Sequence, residues 1–184
     1  MTELPDMAGT ALAVVVTQRL MDHYLLQPED QRSRFVARWA EMMPLLWRTV
    51  LHPSAELKRT LKSKLVENTD ESLGREYAMD AYRYEEDAGN ACICSIEAYC
   101  GDRRGVAAAA SQLLTHAQSR AQTIAMEIGE DRMSANAQSR VLRFQRVELD
   151  RLENAISLLE REGFSTTLLP QLRDLLDAGK TGTD

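Results

Sequence analysis

Little in this chain interrupts a helix. Five prolines and nine glycines are spread over 184 residues, and between them apolar side chains recur every third or fourth position. Side chains at that spacing share one helical face. No run alternates with period two for long enough to argue a sheet. The β-branched cluster Ala13 to Val16 falls inside a helical pattern. The sequence therefore predicts an all-α, single-domain bundle of about six or seven helices over residues 1–184. Residues 1–5 and 179–184 read as frayed tails.

Tyr77 to Cys100 is the stretch the bundle is expected to close around. Read as one helix, it has a stripe of Tyr77, Ala81, Tyr84, Ala88, Ala91, Ser95 and Ala98. A second stripe holds Tyr82, Gly89, Ile93, Ile96 and Cys100. Small residues at Ala88, Gly89, Ala91 and Cys92 permit a neighbouring helix to approach closely. The third stripe is polar: Asp80, Arg83, Asp87, Asn90, Cys94 and Glu97. Its plain reading is a solvated edge with weak ion pairs. Its sharper reading is a groove in which Asp87, Asn90 and Glu97 face a small ligand.

The flanking elements follow from caps and breakers. Asp6 can cap a first helix to about Leu26, with Leu12, Val15, Val16, Leu20 and Tyr24 at helical spacing. The next carries Phe35, Val36, Trp39, Met42, Met43, Leu46, Trp47 and Val50, and Pro44 predicts a kink or break inside it. A third follows Ser54, and Asn68 to Gly74 reads as a loop. Gly101 to Gly105 is a turn, which makes the helix from Val106 to Ile128 an antiparallel neighbour of the central one. Ser134 and Gly163 bracket a long helix with Leu142, Leu149 and Ile156 in heptad spacing beside Gln145, Leu152 and Leu159. A last helix spans about Pro170 to Ala178.

The chemistry is mostly one of absences. A net charge of −6 and a pI near 5.2 argue against nucleic-acid binding, which needs a basic surface. Ala11 to Val16 is too short to span a membrane, and Glu3 and Asp6 stand where an export signal needs basic residues. Cys92, Cys94 and Cys100 are an odd, clustered set, poor for disulfides and suited to a reducing cytoplasm. Cys92 and Cys94 would point about 200° apart on a helix and cannot share an ion. None of His23, His52 and His116 has a glutamate three residues before it, so no di-iron bundle pattern exists. No phosphate loop or nucleophile elbow occurs. No catalytic residue, metal or cofactor is expected.

The order of ALAVVVTQRLMDHYLL, LLWRTVL, EDAGNACICSIEAY and VELDRLENAISLLEREG resembles the YjaG-like family of small bacterial proteins. The matching features are Gln18, Arg19, Leu20 and Tyr24, the Leu46-Trp47 step, and Asp87-Ala88 followed by Ala91 and Cys92. The resemblance implies an all-helical cytoplasmic fold. It implies no activity and carries over no catalytic residue.

Two classes of function then compete. One is a non-enzymatic interaction or adaptor module, a homodimer that buries part of a surface formed by Phe35, Trp39, Met43 and Trp47, since aromatic residues and Met favour such contacts. The other is a small-ligand binder or enzyme using the Asp87, Asn90 and Glu97 stripe.

Overall fold

Helix after helix is what the breakers leave room for. The structure, a computed structural model, describes residues 6–26, 34–73 and 86–177. These form α1 (Asp6–Leu25), α2 (Arg34–Ala40), α3 (Met43–Leu51), α4 (Ala55–Leu73), α5 (Glu86–Cys100), α6 (Arg104–Glu127), α7 (Ala135–Glu162) and α8 (Leu169–Asp177). A single 3-10 turn, Thr166–Leu168, leads into α8. No strand occurs among the described residues. The fold is an all-α bundle.

Ser134 and Gly163 bracket α7 as the sequence suggests, whereas Asp6, expected as a cap, is the first described residue of α1 itself. Ser134 Oγ accepts from the Ala137 N–H at 3.1 Å, and Ser54 Oγ from Leu57 at 3.1 Å. Gly163 ends α7 with φ of 70°. Pro44 lacks the N–H that would bond Ala40, and its ring would strike that carbonyl. The helical pattern accordingly stops at Ala40 and restarts at Met43. The break splits one expected helix into α2 and α3.

Two expectations need correction. The segment Asn68 to Gly74 does not open as a loop: α4 continues to Leu73. Asn, Thr, Asp and Ser each cost a helix only a few tenths of a kcal/mol, and neither Pro nor Gly occurs before Gly74 to stop it. The second concerns the centre. The Tyr77–Cys100 helix is described from Glu86, and residues 77–85 lie outside the described residues. Its described part shares the centre with α1. α1 packs against α3, α5, α6, α7 and α8, and α5 against α1, α2, α3, α4 and α6.

The first half of α1 is buried on every side. Residues 8 to 17 run without an exposed position. The physical reason is composition: Ala8, Gly9, Ala11 and Ala13 occupy the faces that a surface helix would make polar. Gly9 lets Val106 of α6 sit against it; a methyl there would lie 3.0 Å from a Val106 methyl. Thr17 satisfies its hydroxyl twice, to Ala13 O at 2.9 Å and to Ser95 Oγ of α5 at 2.7 Å.

α5 and α6 form the tightest pair. Gly101, at φ of 104°, turns the chain out of α5. Asp102 Oδ1 then accepts from the Arg104 N–H at 3.0 Å and starts α6. A methyl placed on Gly105 would lie 2.5 Å from the Cys94 carbonyl oxygen and 2.6 Å from the Ala98 nitrogen. The two backbones therefore meet where no side chain fits between them.

Candidate functional site

Three central helices each send one titratable side chain into a common seam. His23 is in the last turn of α1, Asp87 in the first turn of α5, and His116 in the middle of α6. Asp87 is wholly buried and His116 is 8% exposed, whereas His23 is half-buried. The first turn of a helix suits a carboxylate, because the N-terminal peptide dipoles point their positive ends there. Asp87 Oδ2 lies 3.9 Å from His116 Nδ1, too far for a hydrogen bond. His116 Nε2 lies 3.2 Å from His23 Nδ1, and the two rings are 5.3 Å apart between centres. The result is a row of carboxylate, imidazole and imidazole running from a sealed end toward a half-exposed one. Such a row can pass a proton along itself, or offer two ring nitrogens to one cation.

Asp87 belongs to the predicted ligand stripe, but the stripe does not converge. Ten residues of helix separate Asp87 from Glu97 by about 15 Å. Asn90 and Glu97 are half-exposed while Asp87 is sealed. Asp80 and Arg83 lie outside the described residues. Asp87 instead approaches His116, which in turn meets His23, two histidines that carried no metal-site spacing in the sequence. One signal for His116 was present: it stands three residues after Leu113 in a stripe otherwise made of Gly105, Ala109, Leu113 and Ala117. A polar residue in a buried stripe has a partner across the seam.

The aromatic surface is also placed differently from its reading as a contact. Trp39 is 1% exposed and Met43 is 7% exposed, both inside the core. Trp47 is half-buried; its indole N–H donates to Gln18 Oε1 at 2.7 Å, and Arg173 covers its ring at 5.9 Å. The side chain of Phe35 lies outside the described residues. The break at Glu41 and Met42 lets α2 and α3 each turn an apolar side inward, so Val36, Trp39, Leu46 and Val50 all reach the core.

Exposed apolar side chains gather instead on α7 and at the α6–α7 turn. Leu142 is 68% exposed and Leu149 37%, while Leu152 and Leu159 of the same heptad pattern are buried. Met126, Ile128 and Met133 are exposed around the turn. The charges of α7 are divided along its length. Ala135 to Val147 carries Arg140, Arg143 and Arg146 and no acid. Glu148 to Glu162 carries Glu148, Asp150, Glu153, Glu160 and Glu162 against Arg151 and Arg161. Beside that acidic half, between α7 and α8, is a groove of about 510 Å³ lined by residues including Asn154, Ser157, Leu158 and Leu175.

Burial acts on all three thiols. All three are free. Burial pushes the Cys92 thiol far up, and its S–H points to Trp39 O at 3.7 Å. Burial, with some help from Glu97, pushes Cys94 up to about 11. Burial raises Cys100 as well. Among the described residues no group of three or more His, Cys, Asp or Glu side chains is placed to hold a metal ion. No described helix is long and apolar enough to cross a membrane. Comparison with protein-family models, curated proteins and solved structures finds no match to this chain.

Proposed function

We propose that the protein is a non-enzymatic helical interaction module whose first partner is a second copy of itself, paired through α7. The carrying observation is the exposed Leu142 and Leu149 pair on a helix with a basic first half and an acidic second half. An antiparallel copy sets Leu142 of one protomer opposite Leu149 of its partner. The same arrangement lays each basic half along an acidic half. A parallel copy would place like charges together, which costs association. The antiparallel pair is isologous, the usual symmetry of small oligomers. It also brings the Met126, Ile128 and Met133 end of each protomer alongside the acidic end of the partner's α7, near the groove beside α8. The apolar contact is modest, so association belongs in the micromolar range.

Light scattering and sedimentation test this directly. At tens of micromolar the mass should approach twice the 20.7 kDa chain. Leu142→Asp with Leu149→Asp should return a monomer with an unchanged helical spectrum, because both side chains face solvent in the protomer. With Cys94 and Cys100 changed to Ser, Arg146→Cys lies near the antiparallel two-fold axis and should give a disulfide-linked dimer on mild oxidation. A monomer mass at every accessible concentration would remove the proposal.

A further inference from the structure

We propose that His23 and His116 form a two-ligand site for a divalent transition metal of the zinc class, with Asp87 as the carboxylate behind His116. Two observations converge on it, the spacing of the two rings and the carboxylate beside them. The facing nitrogens, His23 Nδ1 and His116 Nε2, are 3.2 Å apart. Two metal–nitrogen bonds of about 2.05 Å spanning that gap subtend about 100°, close to a tetrahedral angle. As an N–H···N hydrogen bond, the same distance falls at the long end of the usual range. The spacing thus admits a metal ion in the place of a shared proton.

The carboxylate fits the same reading. A histidine that binds metal through one nitrogen ordinarily turns the other toward a carboxylate or carbonyl, which fixes the tautomer and raises the ligand's basicity. Asp87 Oδ2 stands 3.9 Å from His116 Nδ1, beyond hydrogen-bond reach but near enough for its charge to act on that ring. It is wholly buried, so its field on His116 is weakly screened. Imidazole donors favour zinc, copper and nickel over magnesium or calcium. The ion takes the lone pair of neutral His23 Nδ1 and of neutral His116 Nε2. Protonated histidines release that proton to solvent on binding. Among the described residues two side chains serve as ligands, and water can take further positions. They are reached from the His23 side, which is half-exposed. Bound there, the ion links the end of α1 to the middle of α6. Two protein ligands make this a weaker site than a closed structural zinc centre.

Titrating the full-length protein with zinc chloride by calorimetry, and with cobalt(II) by visible absorption, tests the site. One zinc per chain at micromolar affinity is expected. His23→Gln and His116→Gln should each weaken it by about tenfold or more, and Asp87→Asn by about tenfold. His52→Gln removes an exposed histidine outside the seam and should leave binding unchanged. Leu142→Asp with Leu149→Asp should also leave it unchanged, which separates this site from the α7 pairing. Far-UV circular dichroism checks that each variant is folded, and the half-exposed His23 keeps the test decisive if Asp87→Asn unfolds. Equal affinity in His116→Gln and wild type would mean an adventitious ion only. Absence of binding up to about 100 µM zinc, an affinity weaker than about 5.5 kcal/mol, would mean that the pair shares only a proton. Either result overturns the proposal.

Discussion

A single methyl group marks where this fold is least forgiving. At Gly105 a Cβ would meet the Cys94 carbonyl and the Ala98 nitrogen, backbone atoms that no rotamer change can move aside. Alanine gains up to about 1 kcal/mol in helix propensity over glycine, but forcing two helices apart costs more. Gly105→Ala should therefore lower the denaturation midpoint by the equivalent of roughly 1–3 kcal/mol. Gly129→Ala meets no atom within 4 Å, so its cost is only the strained φ of 72°, about 1–2 kcal/mol. An unchanged midpoint for Gly105→Ala would show that the helices separate freely. At this scale the sequence was half legible. The caps Ser54, Ser134 and Gly163 announce themselves through local hydrogen-bonding chemistry. Gly105 read only as the end of a turn, because its reason lies in α5, across the hairpin. His23 and His116 failed for the same cause: 93 positions separate them, and no local pattern joins them.

Between elements, the strongest polar tie joins the first helix to the longest. Arg19 of α1 reaches Glu148 of α7 at 2.6 Å, and Arg151 approaches the same carboxylate oxygen at 2.7 Å. Arg19 is 7% exposed and Glu148 13%. Burial draws the Arg19 pKa down, and Glu148 opposes that by holding the charge in place. The two arginines make the tie asymmetric. Removing Glu148 leaves both guanidinium groups without their carboxylate, whereas removing Arg19 leaves Glu148 still paired with Arg151. Glu148→Ala should cost about 3–5 kcal/mol, and Arg19→Ala distinctly less. The double variant Arg19→Met with Glu148→Leu should recover much of the loss, since a packed apolar pair replaces a desolvated one. Urea unfolding of the three variants decides it; equal costs for the single variants would refute the asymmetry. Helix boundaries were legible wherever a proline or glycine enforced them, as at Pro44 and Gly101. Polar residues alone misled at Asn68 to Gly74, because their helix penalties are too small to end a helix already running.

For the molecule as a whole, the class of fold was written in the hydrophobic period, and the identity of its centre was not. From Ala8 to Thr17 α1 has apolar or small residues on all sides, so that stretch gives almost no directional signal, and a helix with no preferred face is one that is surrounded. Buried positions from Ala8 to Thr17 leave no side from which water can open α1 alone. Its amide protons should exchange only when the whole protein unfolds, with protection equal to the global stability and greater than that of α4, whose outward face is charged. Hydrogen exchange read by mass spectrometry distinguishes the two; faster exchange in α1 than in α4 would contradict the packing. The same burial has a consequence during synthesis. α1 leaves the ribosome before the other described helices, yet its enclosure is complete only when α8, at residues 169–177, has been made. At about 5–20 residues per second that wait lasts on the order of ten to thirty seconds. Through that interval the apolar stretch of α1 around Ala11 to Val16 is covered only in part, by the helices already made. A chain cut short before α8 leaves that side of α1 open permanently, so the arrival of α8 is what finally puts α1 away.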